Sequence, residues 1–132
     1  MGTFREAIDA KDMDAVESML ADDVVFRSPV AFKPYPGKAI TNAILREVVE
    51  VFEDFHYVRE IHDEACHALV FEAKVDGLDV TGCDFLVVDD EGKIIDFMVM
   101  VRPLKAADAL AARMAERYPA IQAAAKTWAD AQ

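Results

Sequence analysis

Asp84 is the residue least at home in its surroundings. It sits in the run Val80-Thr81-Gly82-Cys83-Asp84-Phe85-Leu86-Val87-Val88, a strand-forming segment with no other charge. A carboxylate among apolar side chains is costly unless it is protonated, hydrogen-bonded or open to a solvent-filled cavity. Desolvation disfavours the anion and raises the pKa, so an acid here can donate a hydrogen bond to a ligand oxygen near neutral pH. The plainer reading is a structural carboxyl that bonds a nearby hydroxyl or backbone group and only shapes a cavity. His67 is the candidate acid-base partner. His56 and His62 are left without a face, because a turn near Asp63-Glu64 moves both by one residue. Cys66 and Cys83 form no C-x-x-C pair and stand at no metal spacing from the histidines. Free structural thiols are expected, with no metal and no cofactor.

The elements that must position Asp84 follow from periodicity. Phe4, Ala7 and Ile8, then Ala15, Val16, Met19 and Leu20, fall at helical spacing, with Asp12 placed to cap the second stretch. Val24 to Phe26 reads as a short strand, and Ser28 to Gly37, with three prolines, reads as a loop. A long amphipathic helix runs from about Lys38 to Asp54. Four antiparallel strands follow: His56 to Ile61, Cys66 to Val75, Leu78 to Val88 and Lys93 to Arg102. After Pro103, two Ala-rich helices are expected, Leu104 to Tyr118 and Pro119 to Ala131. Helices, then strands, then a helical tail give an α+β fold, and 132 residues without a linker give one domain, 1–132.

Two turns set the register. Asp76-Gly77 is a type I′ hairpin signal, which pairs Phe71 with Gly82 and Leu69 with Asp84. Asp89 to Gly92, read as a four-residue loop, pairs Val88 with Lys93 and hence Asp84 with Phe97. One face then carries the rows His67-Leu86-Ile95, Leu69-Asp84-Phe97, Phe71-Gly82-Val99 and Ala73-Val80-Val101. The strand residues of the expected pocket are Leu69, Phe71, Leu86, Phe97, Val99 and Val101. Phe4, Ser28, Tyr35 and Phe52 complete it from the helices and the loop. The opposite face carries Val70, Cys83, Phe85, Val87, Ile94 and Met98, and a face that apolar is expected to be a homodimer interface. The alternative cover for it is the C-terminal helices.

Bulk properties narrow the partners. The net charge is -11, from 25 acidic against 14 basic residues, and the basic ones form no cluster. Such a surface repels phosphate backbones and anionic lipid, so neither nucleic acid nor membrane is expected as a partner. The first twelve residues lack an apolar secretory core, and a cytoplasmic location is expected.

Several segments carry a family likeness. They are Ala10-Lys11-Asp12-Met13-Asp14, Leu20-Ala21-Asp22-Asp23-Val24, Ser28-Pro29, Gly37-Lys38-Ala39-Ile40, and Asp84 eight residues before Gly92-Lys93-Ile94. In this order the chain resembles the nuclear-transport-factor-2-like (NTF2-like) superfamily, closest to its SnoaL-type cyclases and ketosteroid isomerases. The resemblance implies a cone in which helices and a curved sheet enclose an apolar pocket, and a dimer formed through the sheet. It also implies that Asp84 matches the protonated oxyanion-hole acid of the isomerases. Their tyrosine donor matches Phe4, which has no hydroxyl, and their aspartate base matches Ser28, so one group of three is kept. The Asp-Arg-Asp set of the related limonene epoxide hydrolases is not matched either, with Val99 at its last-strand position and Leu69, Phe71 and Ala73 on the third strand. The sequence therefore points first to a small-molecule-binding domain with one buried acid and no defined reaction. The alternatives are a proton-transfer enzyme acting on an apolar carbonyl compound through Asp84 and His67, and a non-catalytic module whose large side chains fill the cone.

Overall fold

The computed structural model describes residues 3–132. Two short helices open the described chain, α1 (Phe4–Asp9) and α2 (Met13–Met19). Each has the side-chain cap its sequence offers: Thr3 Oγ1 accepts from the Glu6 amide at 3.1 Å, and Asp12 Oδ1 from the Ala15 amide at 3.2 Å. Strand β1 (Leu20–Arg27) starts as α2 ends, four residues earlier than the strand expected at Val24. A two-residue strand, β2 (Tyr35–Pro36), precedes α3 (Lys38–Val51). Asn42 and Arg46 of α3 bind Glu17 of α2 at 2.9 and 3.1 Å, tying the first helices to the third.

Strands β3 (Glu53–Asp63), β4 (Cys66–Val75), β5 (Leu78–Val88) and β6 (Ile94–Arg102) form the meander. The sheet order is β2-β1-β6-β5-β4-β3, with β1 parallel to β6 and every other pair antiparallel. Helices lie over the concave face of this curved, unclosed α+β sheet and share one core with it. No helix of the described residues is long and apolar enough to cross a membrane.

The Asp76-Gly77 turn has φ of 52° and 78°, the double positive φ of a type I′ turn, and it sets the β4–β5 pairs as expected: Leu69 with Asp84, Phe71 with Gly82. The β5–β6 turn departs from expectation. Asp89 Oδ1 accepts from the Glu91 and Lys93 amides, both at 2.9 Å, and the Asp89 amide bonds the Lys93 carbonyl. The loop is therefore one residue shorter, and Val88 pairs with Ile94. A β-bulge at Ile95 then adds a second residue of offset, so Asp84 pairs with Val99, Leu86 with Phe97 and Gly82 with Val101. Two single-residue offsets restore the faces, and Phe97 and Val99 stay buried. Between the turn and the bulge the faces are exchanged. Ile94, expected on the outer face, is core at 3% exposure, while Ile95, expected inside, is only half-buried.

The C-terminal helix is also a correction. Helix α4 (Leu104–Asp130) is continuous through Pro119 rather than split there. Proline costs one i→i−4 hydrogen bond, and packing of Leu110 and Ile121 on either side of it holds the two halves in line. Helix α4 packs against α3 and the concave side of the sheet, which leaves the outer face uncovered.

Candidate functional site

The pairing places Asp84 between Leu69 and Val99, and β3 contributes what lies next to it. Tyr57 pairs with Phe71 on β4, its ring is 5% exposed, and its hydroxyl donates to Asp84 Oδ2 at 2.7 Å. Burial pushes the Asp84 carboxyl up to about 7, and the hydrogen bond from Tyr57 opposes that rise. The Tyr57 phenol is pushed well above its ordinary range, by burial first and then by the Asp84 charge. In the neutral state one carboxyl oxygen accepts from Tyr57 and the acid's own O–H remains to donate elsewhere.

It can donate into a cavity of about 310 Å³, whose wall Asp84 and Tyr57 share. That volume is at the lower end of small-molecule pockets. Aromatic rings make much of the wall. Phe4 and Phe26 each stand 5.5 Å from Phe97, and Phe52 and Phe55 stand 5.3 and 4.7 Å from Phe71 behind them. Asp9, Lys11 and Asp54 are exposed residues of the same wall and therefore mark its open side. The large side chains do not fill the cone.

Of the residues expected to line the pocket, Phe4, Ser28, Phe52, Phe97 and Val99 are in the wall with Asp84. Ser28 Oγ accepts from the Val30 amide at 3.1 Å, a turn bond that occupies one of its lone pairs. Tyr35 lies in a neighbouring chamber instead. Leu69, Leu86 and His67 line a separate recess of about 700 Å³ between α1, α2 and the sheet. Phe71 is buried beneath the aromatic wall, and Val101 is half-buried at the end of β6.

His67 is not the partner of Asp84. Its cross-strand neighbour on β3 is His62, and the two Nδ1 atoms are 2.7 Å apart, with Glu60 3.3 Å from His62 Nε2. His56 is exposed and pairs with Glu72. Both cysteines are free, with Cys83 opposite Val70 on the outer face.

Tyr57 is the residue sequence reasoning missed. The hairpin through Glu64-Ala65 pairs Asp63 with Cys66, and a bulge between Tyr57 and Arg59 then turns Tyr57 inward. Glu64, at φ 52°, adopts the left-handed conformation that glycine usually marks, so the turn carried no glycine signal.

Solved structures share this fold. A steroid delta-isomerase from Pseudomonas aeruginosa is 40% identical over 90% of this chain and 88% of its own, with a TM-score of 0.84. An uncharacterised, bacterially conserved protein with a cystatin-like fold from Silicibacter pomeroyi is 34% identical over 86% of this chain and 80% of its own, with a TM-score of 0.82. An NTF2-like protein of unknown function from Cytophaga hutchinsonii shares the fold at 16% identity, covering 76% of this chain and 84% of its own with a TM-score of 0.59. No curated protein matches the chain. The model of the SnoaL-like domain matches residues 2–97, and the chain belongs to that family within the NTF2-like superfamily.

Proposed function

We propose that the cavity binds a small, predominantly apolar molecule with one hydrogen-bond-accepting oxygen, a ketone or enone, held by the protonated carboxyl of Asp84. The observation that carries this reading is the Tyr57–Asp84 pair in the wall of a 310 Å³ apolar cavity. Tyr57 holds one carboxyl oxygen, so the acid keeps a fixed direction and a free donor. Calorimetric titration with methyl ketones tests it. Affinity is expected to be constant below pH 6 and to fall about tenfold per pH unit well above 7, as Asp84 loses its proton. In Asp84→Asn, affinity is expected to be independent of pH. Equal affinity at pH 5.5 and 8.5 in the unaltered protein contradicts the reading.

A second reading is proton transfer, favoured by the 40% identity to a steroid delta-isomerase. A carbonyl polarised by Asp84 has a more acidic α-C–H. Asp9 and Asp54 are the other carboxylates in the wall, and either can take that proton and return it at the γ-carbon of a β,γ-unsaturated ketone. Conversion of such a ketone to the conjugated enone, followed by ultraviolet absorbance, tests this step. No conversion by the unaltered protein contradicts it and leaves the binding reading standing.

The functional unit in this reading is a homodimer. Val70, Cys83, Phe85, Val87 and Met98 form a half-buried apolar field on the outer face that α4 does not cover, and Met100 beside them is 53% exposed. Sedimentation equilibrium is expected to give a dimer that Phe85→Glu converts to monomer. A monomer before substitution overturns this assignment.

A further inference from the structure

The Asp84 cavity has a neighbour. A chamber of about 350 Å³ lies beside it, built from the end of β1, from Tyr35 and from one side of α4. Phe26, Ser28, Val30, Ile44 and Met114 belong to both walls, so a single row of side chains separates the two spaces. Four of those five are apolar, and Met114 is an unbranched thioether able to change rotamer at low cost.

Helix α4 makes the second chamber through its choice of small residues. Ala111 and Ala115 face it where larger side chains would close it, and Tyr118 and Ile121 bound it about one and two turns further on. The Tyr118 ring lies 6.2 Å from Tyr35. Burial raises the Tyr35 phenol, and the proximity of Tyr118 adds to that rise. Two phenolic hydroxyls are thus the polar groups of a chamber that is otherwise apolar apart from Ser28, and neither belongs to the wall around Asp84.

We propose that both chambers hold one elongated ligand, an apolar body with its ketone oxygen on Asp84 and a second oxygen at its far end between Tyr35 and Tyr118. This rests on the reading that the Asp84 cavity takes a ketone, and it adds the length and the second functional group of that ligand. The apolar row between the chambers suits the middle of such a molecule. A ligand confined to the inner cavity would leave the alanine face of α4 and the tyrosine pair without a role in recognition.

The test is calorimetry at pH 5.5 with 2-pentanone, 2-octanone, 2-decanone and 10-hydroxy-2-decanone. Affinity is expected to rise about fourfold per added methylene through 2-decanone, since each buried methylene contributes about 0.8 kcal/mol. Ala111→Phe and Ala115→Phe, each checked for folding by circular dichroism, are expected to lower the ratio of 2-decanone to 2-pentanone affinity at least tenfold. Two separate variants are used so that misfolding of one leaves the test intact. Tyr118→Phe is expected to lower the ratio of 10-hydroxy-2-decanone to 2-decanone affinity roughly fivefold. Ketones that bind through Asp84 but stop gaining affinity at 2-pentanone, or ratios that the phenylalanine variants do not change, overturn the two-chamber ligand and leave the Asp84 reading intact. No binding of any ketone overturns both.

Discussion

The difference in stability between the unaltered protein and Asp84→Asn is expected to change by roughly 4 kcal/mol between pH 4 and pH 8, with the unaltered protein favoured on the acid side. The folded carboxyl titrates at about 7, and its ordinary value is 3.8. Between those values the folded state holds a proton that the unfolded chain has released, so stability falls as pH rises through the window. Below about pH 4 both states are protonated and the full contribution is present. Above about pH 7 both are ionised, and the folded state carries a buried charge that, among the described residues, Tyr57 alone supports with a hydrogen bond. Asparagine keeps the shape and accepts from Tyr57 but has no proton to lose. The exposed carboxylates titrate in both proteins and drop out of the difference. Urea unfolding across the range measures it, and parallel profiles would show an Asp84 carboxyl with no unusual proton affinity.

Gly82→Ala is expected to cost roughly 3 kcal/mol and to weaken ketone binding as well. Gly82 sits opposite Phe71, and a Cβ there would lie 2.7 and 2.8 Å from the ring's Cε atoms, with Cζ nearer still. The ring has little room to yield, because Phe55 stacks on it at 4.7 Å and Phe52 meets its edge at 5.3 Å. Both of those rings are in the wall of the Asp84 cavity, so the displacement passes into the site. The absent side chain at position 82 is therefore part of how the pocket is shaped. Urea midpoints and calorimetry with 2-pentanone test both effects, and a variant within 0.5 kcal/mol of the parent would show that the ring moves freely.

The Phe71–Gly82 and Leu69–Asp84 pairs are legible in the sequence because Asp76-Gly77 allows one tight turn and one register. That register alone places Asp84 on the inner face. The Asp89 loop is less informative, since Asp89 itself caps the turn and shortens it, and the bulge at Ile95 leaves no mark in residue type. Alternation therefore holds from Phe97 onward but fails at Ile94 and Ile95. The same alternation turns His67 inward, yet its position next to the open β3–β4 turn gives it His62 as a neighbour. Tyr57 depends on two features invisible to periodicity, a non-glycine turn residue at φ 52° and a bulge before Arg59. The second chamber depends on where α4 lies, and an Ala-rich helix offers too weak an apolar stripe to fix its docking from sequence.

Ligand recognition here requires Asp84 to carry a proton near neutral pH inside the cavity. Carbon-13 NMR of the protein labelled at aspartate carboxyls, with Asp84 assigned from Asp84→Asn, follows that proton directly. The expected result is a titration midpoint near 7, moving higher in Tyr57→Phe as the bond that favours the anion is lost. A midpoint near the ordinary 3.8 in the unaltered protein would mean an ionised carboxylate at working pH, with no proton to give a ligand oxygen.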